Sequence, residues 1–115
     1  MKITKTNIDG LIIIEPQIFK DDRGSFFESW NVKNFQDIGI KDNFVQDNQS
    51  SSSKGVLRGL HFQNPPYAQA KLVRVIKGSV LDVAVDLRSN SPTYGKHYSI
   101  VLSDKNLKSF YIPKG

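Results

Sequence analysis

The sequence predicts an all-β fold, a barrel or jelly roll of short strands with one short helix, spanning residues 1–115 as a single domain. Three observations predict it. Apolar residues recur mostly with the period of two that marks half-buried strands. Glycine, proline and small polar clusters punctuate the chain at short intervals. Only one stretch carries helical spacing together with both a start and a stop signal. At 115 residues the chain is long enough for a real core, near the lower end for a sandwich or barrel.

At the front, residues 3–6 and 11–15 are expected to pair as an N-terminal β extension. Asn31 can cap a short helix, with Val32, Phe35 and Ile38 as its apolar stripe and Gly39 as its end. Residues 44–48 and 56–62 read as strands. Residues 50–53 and 64–68 read as loops, the second stiffened by Pro65 and Pro66. Residues 71–76 and 81–87 are strands joined through Lys77-Gly78, which reads as a two-residue hairpin turn with glycine supplying positive φ. Within 81–87 the apolar residues alternate with Asp82, Ala84 and Asp86, so one face is buried and the other meets solvent or a polar cavity. Residues 98–102 and 109–112 are the last strands, separated by the polar turn 103–106. Phe26 and Phe27 point to opposite sides of a strand, which puts at least one of them in the core. No internal repeat or domain linker is visible.

Composition excludes several chemistries. There is no cysteine, so disulfides, thiolate metal sites and cysteine nucleophiles are all ruled out, and a reducing cytoplasm is the expected compartment. The first seven residues are polar with no apolar run behind them, so no signal peptide is expected. The longest apolar run, Leu11 to Ile14, is far too short to span a membrane. The net charge of +5 is uneven: residues 1–50 hold six Lys/Arg against eight Asp/Glu, and residues 51–115 hold ten against three. A basic half fits an anionic partner such as a phosphate or nucleotide, or simply a solvated lysine surface. No aromatic-basic module for nucleic acid accompanies it, so no nucleic-acid partner is expected.

The chemistry concentrates in Arg58-Gly59-Leu60-His61-Phe62-Gln63 and Ala70-Lys71-Leu72-Val73-Arg74. If both stretches are neighbouring strands, they hold an imidazole and an ammonium side by side. Those are the groups needed to take a proton from carbon beside a ketone and to steady the resulting oxyanion. The competing reading is a histidine satisfied in or near the core and a lysine reaching out from a strand edge. Arg58 could equally pair with Asp82 or Asp86, Glu28 could be a plain exposed residue, and Gln46 and Asn48 could serve only the backbone near a turn. His97 lies outside every motif and is read as structural or exposed.

Gly55 precedes His61 by six positions and Lys71 precedes Gly78 by seven, which resembles a degenerate cupin signature. Gln63 stands where that signature has a second histidine, and Lys71 where it has a glutamate. Neither is a good ligand for a transition metal, so no metal is expected.

The wider pattern resembles the dTDP-4-dehydrorhamnose 3,5-epimerase family. It runs in order through Phe26-Phe27-Glu28-Ser29, Phe44-Val45-Gln46-Asp47-Asn48, Val56 to Gln63, Lys71 to Arg74 and Asp82 to Asp86. It continues through Ser91-Pro92-Thr93-Tyr94-Gly95 and Tyr111-Ile112-Pro113-Lys114-Gly115. The resemblance implies a cupin-like jelly roll (double-stranded β-helix) and a cofactor-free reaction on dTDP-4-keto-6-deoxyglucose, in dTDP-L-rhamnose or related deoxysugar synthesis. It implies that His61 is the base, that Lys71 steadies the enolate, and that Arg58 holds the sugar end. Arg23 and Glu28 match nucleotide contacts, and Gln46, Asp47 and Asn48 match polar ligand contacts. A homodimer is implied, with N-terminal strands crossing to the partner.

Members of that family continue with a Phe-Ala-His-Gly-Phe segment, a tyrosine proton donor and an aspartate that orients the histidine, none of which is in this sequence. The fold is therefore expected to be incomplete at the C-terminus, with a bare sheet edge and without the full catalytic set. Gln49 and Ala70 depart from frequent family residues without altering this chemistry. Two neighbouring readings stay open: a 3-epimerase or 3,4-ketoisomerase acting on the same sugar nucleotide, and a non-catalytic sugar-nucleotide-binding module.

Overall fold

A computed structural model describes residues 1–115. In chain order, β1 (Lys2–Lys5), β2 (Ile12–Glu15), β3 (Phe19–Asp21) and β4 (Gly24–Phe26) precede the helix α1 (Val32–Asp37). After it come β5 (Lys71–Arg74), β6 (Ser79–Val85), β7 (His97–Ser103) and β8 (Ser109–Ile112). All pairing is antiparallel, in a four-stranded sheet of order β1-β2-β8-β5, a β6-β7 pair and a separate β3-β4 hairpin. The fold is all-β with one short helix, as the strand pattern predicts. No helix is long and apolar enough to cross a membrane.

The two larger sheets face each other across one core. Ile13 and Phe110 from the four-stranded sheet meet Ala84 of β6 and Leu102 of β7, with Ile8 and Leu11 closing one end. This is the jelly-roll arrangement of two sheets sharing an interior. On the outer face of the four-stranded sheet, Ile12, Ile14 and Tyr111 pack with Phe35 and Ile40.

That second cluster explains the helix. Six residues are too few to hold a helix in water, so its stability comes from Phe35, which is buried against the sheet. The Asn31 side chain caps it by accepting from Asn34 N–H at 3.1 Å. It ends in a Schellman pattern: Gly39 N–H bonds the Gln36 carbonyl and Ile40 N–H the Phe35 carbonyl, both at 2.9 Å, with Gly39 at φ +95°.

The structure departs from the sequence reading in five places. Residues 44–48 and 56–62 are not strands. A strand exists through its ladder, and this region bonds its own backbone only in local turns, Val56 N–H to Ser53 and Tyr67 N–H to Asn64. Val45 and Leu57 are 86% and 90% exposed there.

Second, Lys77-Gly78 does not close a hairpin between β5 and β6. Those strands pair with β8 and β7 respectively, so the turn carries the chain from one sheet to the other. Gly78 keeps its positive φ of +86°, and its N–H is held by Asp104 Oδ2 at 2.8 Å.

Third, the β3-β4 hairpin has no counterpart in the sequence reading. Its strands are three residues long with no apolar alternation. Fourth, Phe26 is exposed and Phe27 only half-buried, so neither is core. Both lie at the base of this outlying hairpin.

Fifth, the mixed polar face of β6 is the inward one. Ala84 and Asp86 are buried while Leu81 is exposed. The face read as the wet one is thus the covered one, with Ala84 packed in the apolar core.

The outlying hairpin and the irregular segment lengthen the molecule. Its radius of gyration is 14.9 Å, above the about 13 Å expected for a compact chain of this size.

Candidate functional site

The inner faces of the two sheets place the first site residue. Side chains alternate along a strand, so Lys71 shares its face of β5 with Val73, which packs on the interior cluster. Its register partner on β8 is Ile112, which packs there as well. Lys71 therefore lies on the inward side of β5, at the exposed start of the strand. On the facing sheet, Asp82 shares its face of β6 with the buried Ala84 and sits opposite Ile100 of β7. Burial raises the Asp82 carboxyl above the ordinary carboxylate range, while the Val83 N–H and the positive charge of Lys71 pull it back.

Asp82 had figured in the sequence reading only as a possible partner of Arg58. The signal for it was there, in the Asp82-Ala84-Asp86 alternation, but which face of β6 turns inward depends on the opposing sheet. Arg58 takes neither aspartate. Its Nε donates to Ser52 Oγ at 2.9 Å, and a terminal nitrogen donates to the Ser51 carbonyl at 3.2 Å.

Asp86 belongs to a different structure. Its covered carboxylate accepts from Arg88 Nε at 2.9 Å, Ser91 Oγ at 2.5 Å and Thr93 Oγ1 at 2.7 Å. The Arg88 guanidinium is the main cause that holds this carboxyl well below the ordinary range. The network shapes the loop between β6 and β7, so Asp86 is structural.

His61 lies in the irregular segment and is exposed. Gly59 lets the chain fold back beneath it: φ is +115° there, and a Cβ at residue 59 would stand 3.5 Å from His61 Nδ1. The expectation that His61 and Lys71 occupy neighbouring strands fails: Lys71 opens β5, and His61 is in no strand. His97, read as structural or exposed, is exposed.

The remaining residues lie apart. Arg23 is at the tip of the β3-β4 hairpin, 90% exposed at its side chain and paired with Asp21 Oδ2 at 2.6 Å. That pair lowers the Asp21 pKa and raises the Arg23 pKa. Glu28 receives the side-chain amides of Asn31 at 3.1 Å and Asn34 at 2.7 Å, bracing the start of α1. Gln46, Asp47 and Asn48 are exposed in the irregular segment. No hydrogen bond or ion pair joins one of these residues to another. The structure thus sets Lys71 on the inward side of β5, exposed at the start of the strand, and leaves Arg23, Glu28, Gln46, Asp47, Asn48, Arg58 and His61 on outer segments.

Comparison with known proteins adds what the isolated geometry does not carry. A family model described as dTDP-4-dehydrorhamnose 3,5-epimerase matches residues 5–115. The dTDP-4-dehydrorhamnose 3,5-epimerase of Methanothermobacter thermautotrophicus is 54% identical over 99% of this chain, which spans 61% of that protein. The crystal structure of dTDP-4-dehydrorhamnose 3,5-epimerase from Elizabethkingia anophelis superposes with a TM-score of 0.94 at 53% identity, covering 100% of this chain and 63% of its own. The dTDP-6-deoxy-D-glucose-3,5-epimerase of Legionella pneumophila, solved in complex with dTDP-4-keto-L-rhamnose, gives a TM-score of 0.94 at 53% identity, covering 99% of this chain and 61% of its own. The chain thus spans a little over three-fifths of the proteins it matches, and the motifs around Arg58, His61 and Lys71 lie inside the matched part. On that extended match in sequence and fold, this chain belongs to the dTDP-4-dehydrorhamnose 3,5-epimerase family.

Proposed function

We propose that this protein epimerises C3 and C5 of dTDP-4-dehydro-6-deoxy-D-glucose, giving dTDP-4-dehydro-L-rhamnose for deoxysugar synthesis. The observation that carries the reading is the inward Lys71 on a chain that superposes on a relative bound to dTDP-4-keto-L-rhamnose.

The C4 ketone of the substrate acidifies the hydrogens on C3 and C5. His61 takes one as a proton, since a neutral imidazole accepts near physiological pH. The electron pair moves into the ketone and leaves an enolate, whose oxygen the Lys71 ammonium stabilises. Return of a proton to the opposite face completes the inversion. The step consumes no oxidant and needs no cofactor. Arg58 holds the sugar, Arg23 and Glu28 contact the nucleotide, and Gln46, Asp47 and Asn48 offer polar contacts. Arg23 suits the diphosphate because its guanidinium can engage two phosphate oxygens at once.

This reading takes residues 1–115 as one domain and includes a homodimer. Its support is the amount of apolar surface on the segments that stand away from the core: Phe19, Phe26, Val45, Leu57, Leu60 and Phe62 are all exposed. In such a dimer the Arg23 hairpin serves the neighbouring site. The cysteine-free sequence fits a cytoplasmic location.

Proton NMR of the sugar nucleotide in deuterium oxide tests the proposal. Loss of both the C3 and C5 signals is the expected result. Loss at C3 alone makes the protein a 3-epimerase. Binding without any exchange makes it a non-catalytic sugar-nucleotide module.

A further inference from the structure

We infer that Ser52 is the positioning residue for Arg58, holding its guanidinium through a neutral acceptor so that the cation meets the sugar nucleotide already oriented and with its charge intact. The role in the reaction rests on the epimerase reading; the contact between the two side chains does not.

A tight turn creates the contact. Val56 N–H bonds the Ser53 carbonyl at 3.3 Å, and Gly55 between them takes a φ of +87°, where a side chain would be strained. The chain doubles back, and Arg58 reaches residues six and seven positions earlier. Its Nε donates to Ser52 Oγ at 2.9 Å and its Nη2 to the Ser51 carbonyl at 3.2 Å. Two bonds from one planar group fix its plane as well as its place. The Ser51 carbonyl is backbone and would be present with any residue there. The Ser52 hydroxyl is the part that the side chain supplies.

The partners of Arg58 differ in charge from those of the other fixed arginines. Arg23 is held by the Asp21 carboxylate at 2.6 Å and Arg88 by the Asp86 carboxylate at 2.9 Å, so both cations are neutralised within the chain. Arg58 makes no ion pair, and its two acceptors are a hydroxyl and a carbonyl. It is therefore ordered without being neutralised, and its second terminal nitrogen makes no hydrogen bond within the chain. Ser51, Ser52 and Arg58 are all exposed, so a ligand oxygen can reach that open end. A long side chain that must be ordered by its ligand weakens binding through lost conformational freedom. The Ser52 bond orders it beforehand.

The contact can be read without any catalysis, in this 115-residue chain carrying isotope-labelled arginine. The Arg58 Nε–H resonance is identified by its absence in Arg58→Lys. It should exchange with water about threefold to tenfold faster in Ser52→Ala than in the unaltered protein, the range set by one net hydrogen bond. Ser52→Thr keeps the hydroxyl and should restore the slower rate. An Nε–H exchange unmoved by Ser52→Ala overturns the contact.

The positioning role is read in the kinetics of deuterium uptake into the sugar nucleotide. Arg58 holds substrate and transition state alike, so losing its orientation acts on KM and leaves kcat near the parent value. Ser52→Ala should raise KM about threefold to tenfold, and Ser52→Thr should return it. Ser53→Ala removes a neighbouring hydroxyl that Arg58 does not use and should leave KM unchanged. An unchanged KM in Ser52→Ala overturns the role, and so does an equal rise in Ser53→Ala. If the unaltered protein neither binds nor exchanges the sugar nucleotide while Nε–H still responds to Ser52→Ala, the epimerase reading falls with the positioning role, and the contact stands.

Discussion

The hydroxyl of Tyr111 donates to Oδ2 of Asp42, a residue 69 positions away in sequence. This bond ties the last strand of the central sheet to the chain just after it leaves α1. It sits beside the cluster in which Phe35, Ile40 and Tyr111 pack together, so one phenol closes the apolar layer and anchors the start of the irregular segment.

Replacing that phenol by Tyr111→Phe keeps the ring and removes the bond. A hydrogen bond to a charged acceptor contributes about 1.5–3 kcal/mol, and a loss near the lower figure is expected in urea unfolding, because Asp42 is only half-buried. Burial, then the Asp42 bond and charge, raise the Tyr111 pKa above its ordinary value of 10.0. The folded state therefore keeps this proton where the unfolded state loses it. The stability involved is fully present below about pH 10 and declines as pH rises beyond that. Alkaline unfolding followed by tyrosinate absorbance should show this in the parent protein and not in Tyr111→Phe.

The Asp86 network has the opposite sign. Its folded pKa lies below the unfolded value, so its contribution is present above about pH 4 and lost as pH falls from there. Asp86→Ala should cost about 3 kcal/mol at neutral pH, the size expected when one partner of a covered ion pair is removed. Thermal unfolding between pH 2 and 6 should show a shallower acid loss in the variant than in the parent.

Packing separates the core from the exposed segment. Phe110 is wholly buried at the junction of the two sheets, so Phe110→Ala should cost about 3–5 kcal/mol. Leu57→Ser, at a residue 90% exposed, should change monomer stability by less than about 0.5 kcal/mol. Should the dimer reading hold, the same Leu57→Ser change weakens self-association in sedimentation.

His61 tests the chemistry most directly. His61→Asn should slow deuterium uptake into the sugar about a hundredfold or more, the range for losing a general base. Because His61 is exposed and makes no side-chain hydrogen bond, urea unfolding should not change. Loss of exchange together with loss of stability would show that the histidine supports the fold rather than the reaction.

The helix was legible because its signals are local. The Asn31 cap and the Gly39 stop hold in the structure; of the stripe Val32, Phe35 and Ile38, Phe35 is buried, Ile38 half-buried and Val32 exposed. Strand positions were nearly as clear for β1, β2, β5, β6, β7 and β8, since alternation is a property of one segment. Strand partners were not. Gly78 has the positive φ that a tight turn requires, yet β5 turned to β8 and β6 to β7, a choice made by how two sheets share a core. For the site, the motif selected Lys71 and His61 as chemistry-bearing residues. Asp82 emerged only when the facing sheet fixed which side of β6 turns inward.

By itself, then, the sequence determined the all-β class, the single capped helix, the cysteine-free and basic character, and the motifs by which the chain resembles its family. Those depend on residue type and short-range spacing. Tertiary structure alone decided that 44–48 and 56–62 stay unpaired and that the Asp82-Ala84-Asp86 face is the inner one. Ladders and buried charges need a partner distant in sequence, and only the folded chain brings that partner within reach.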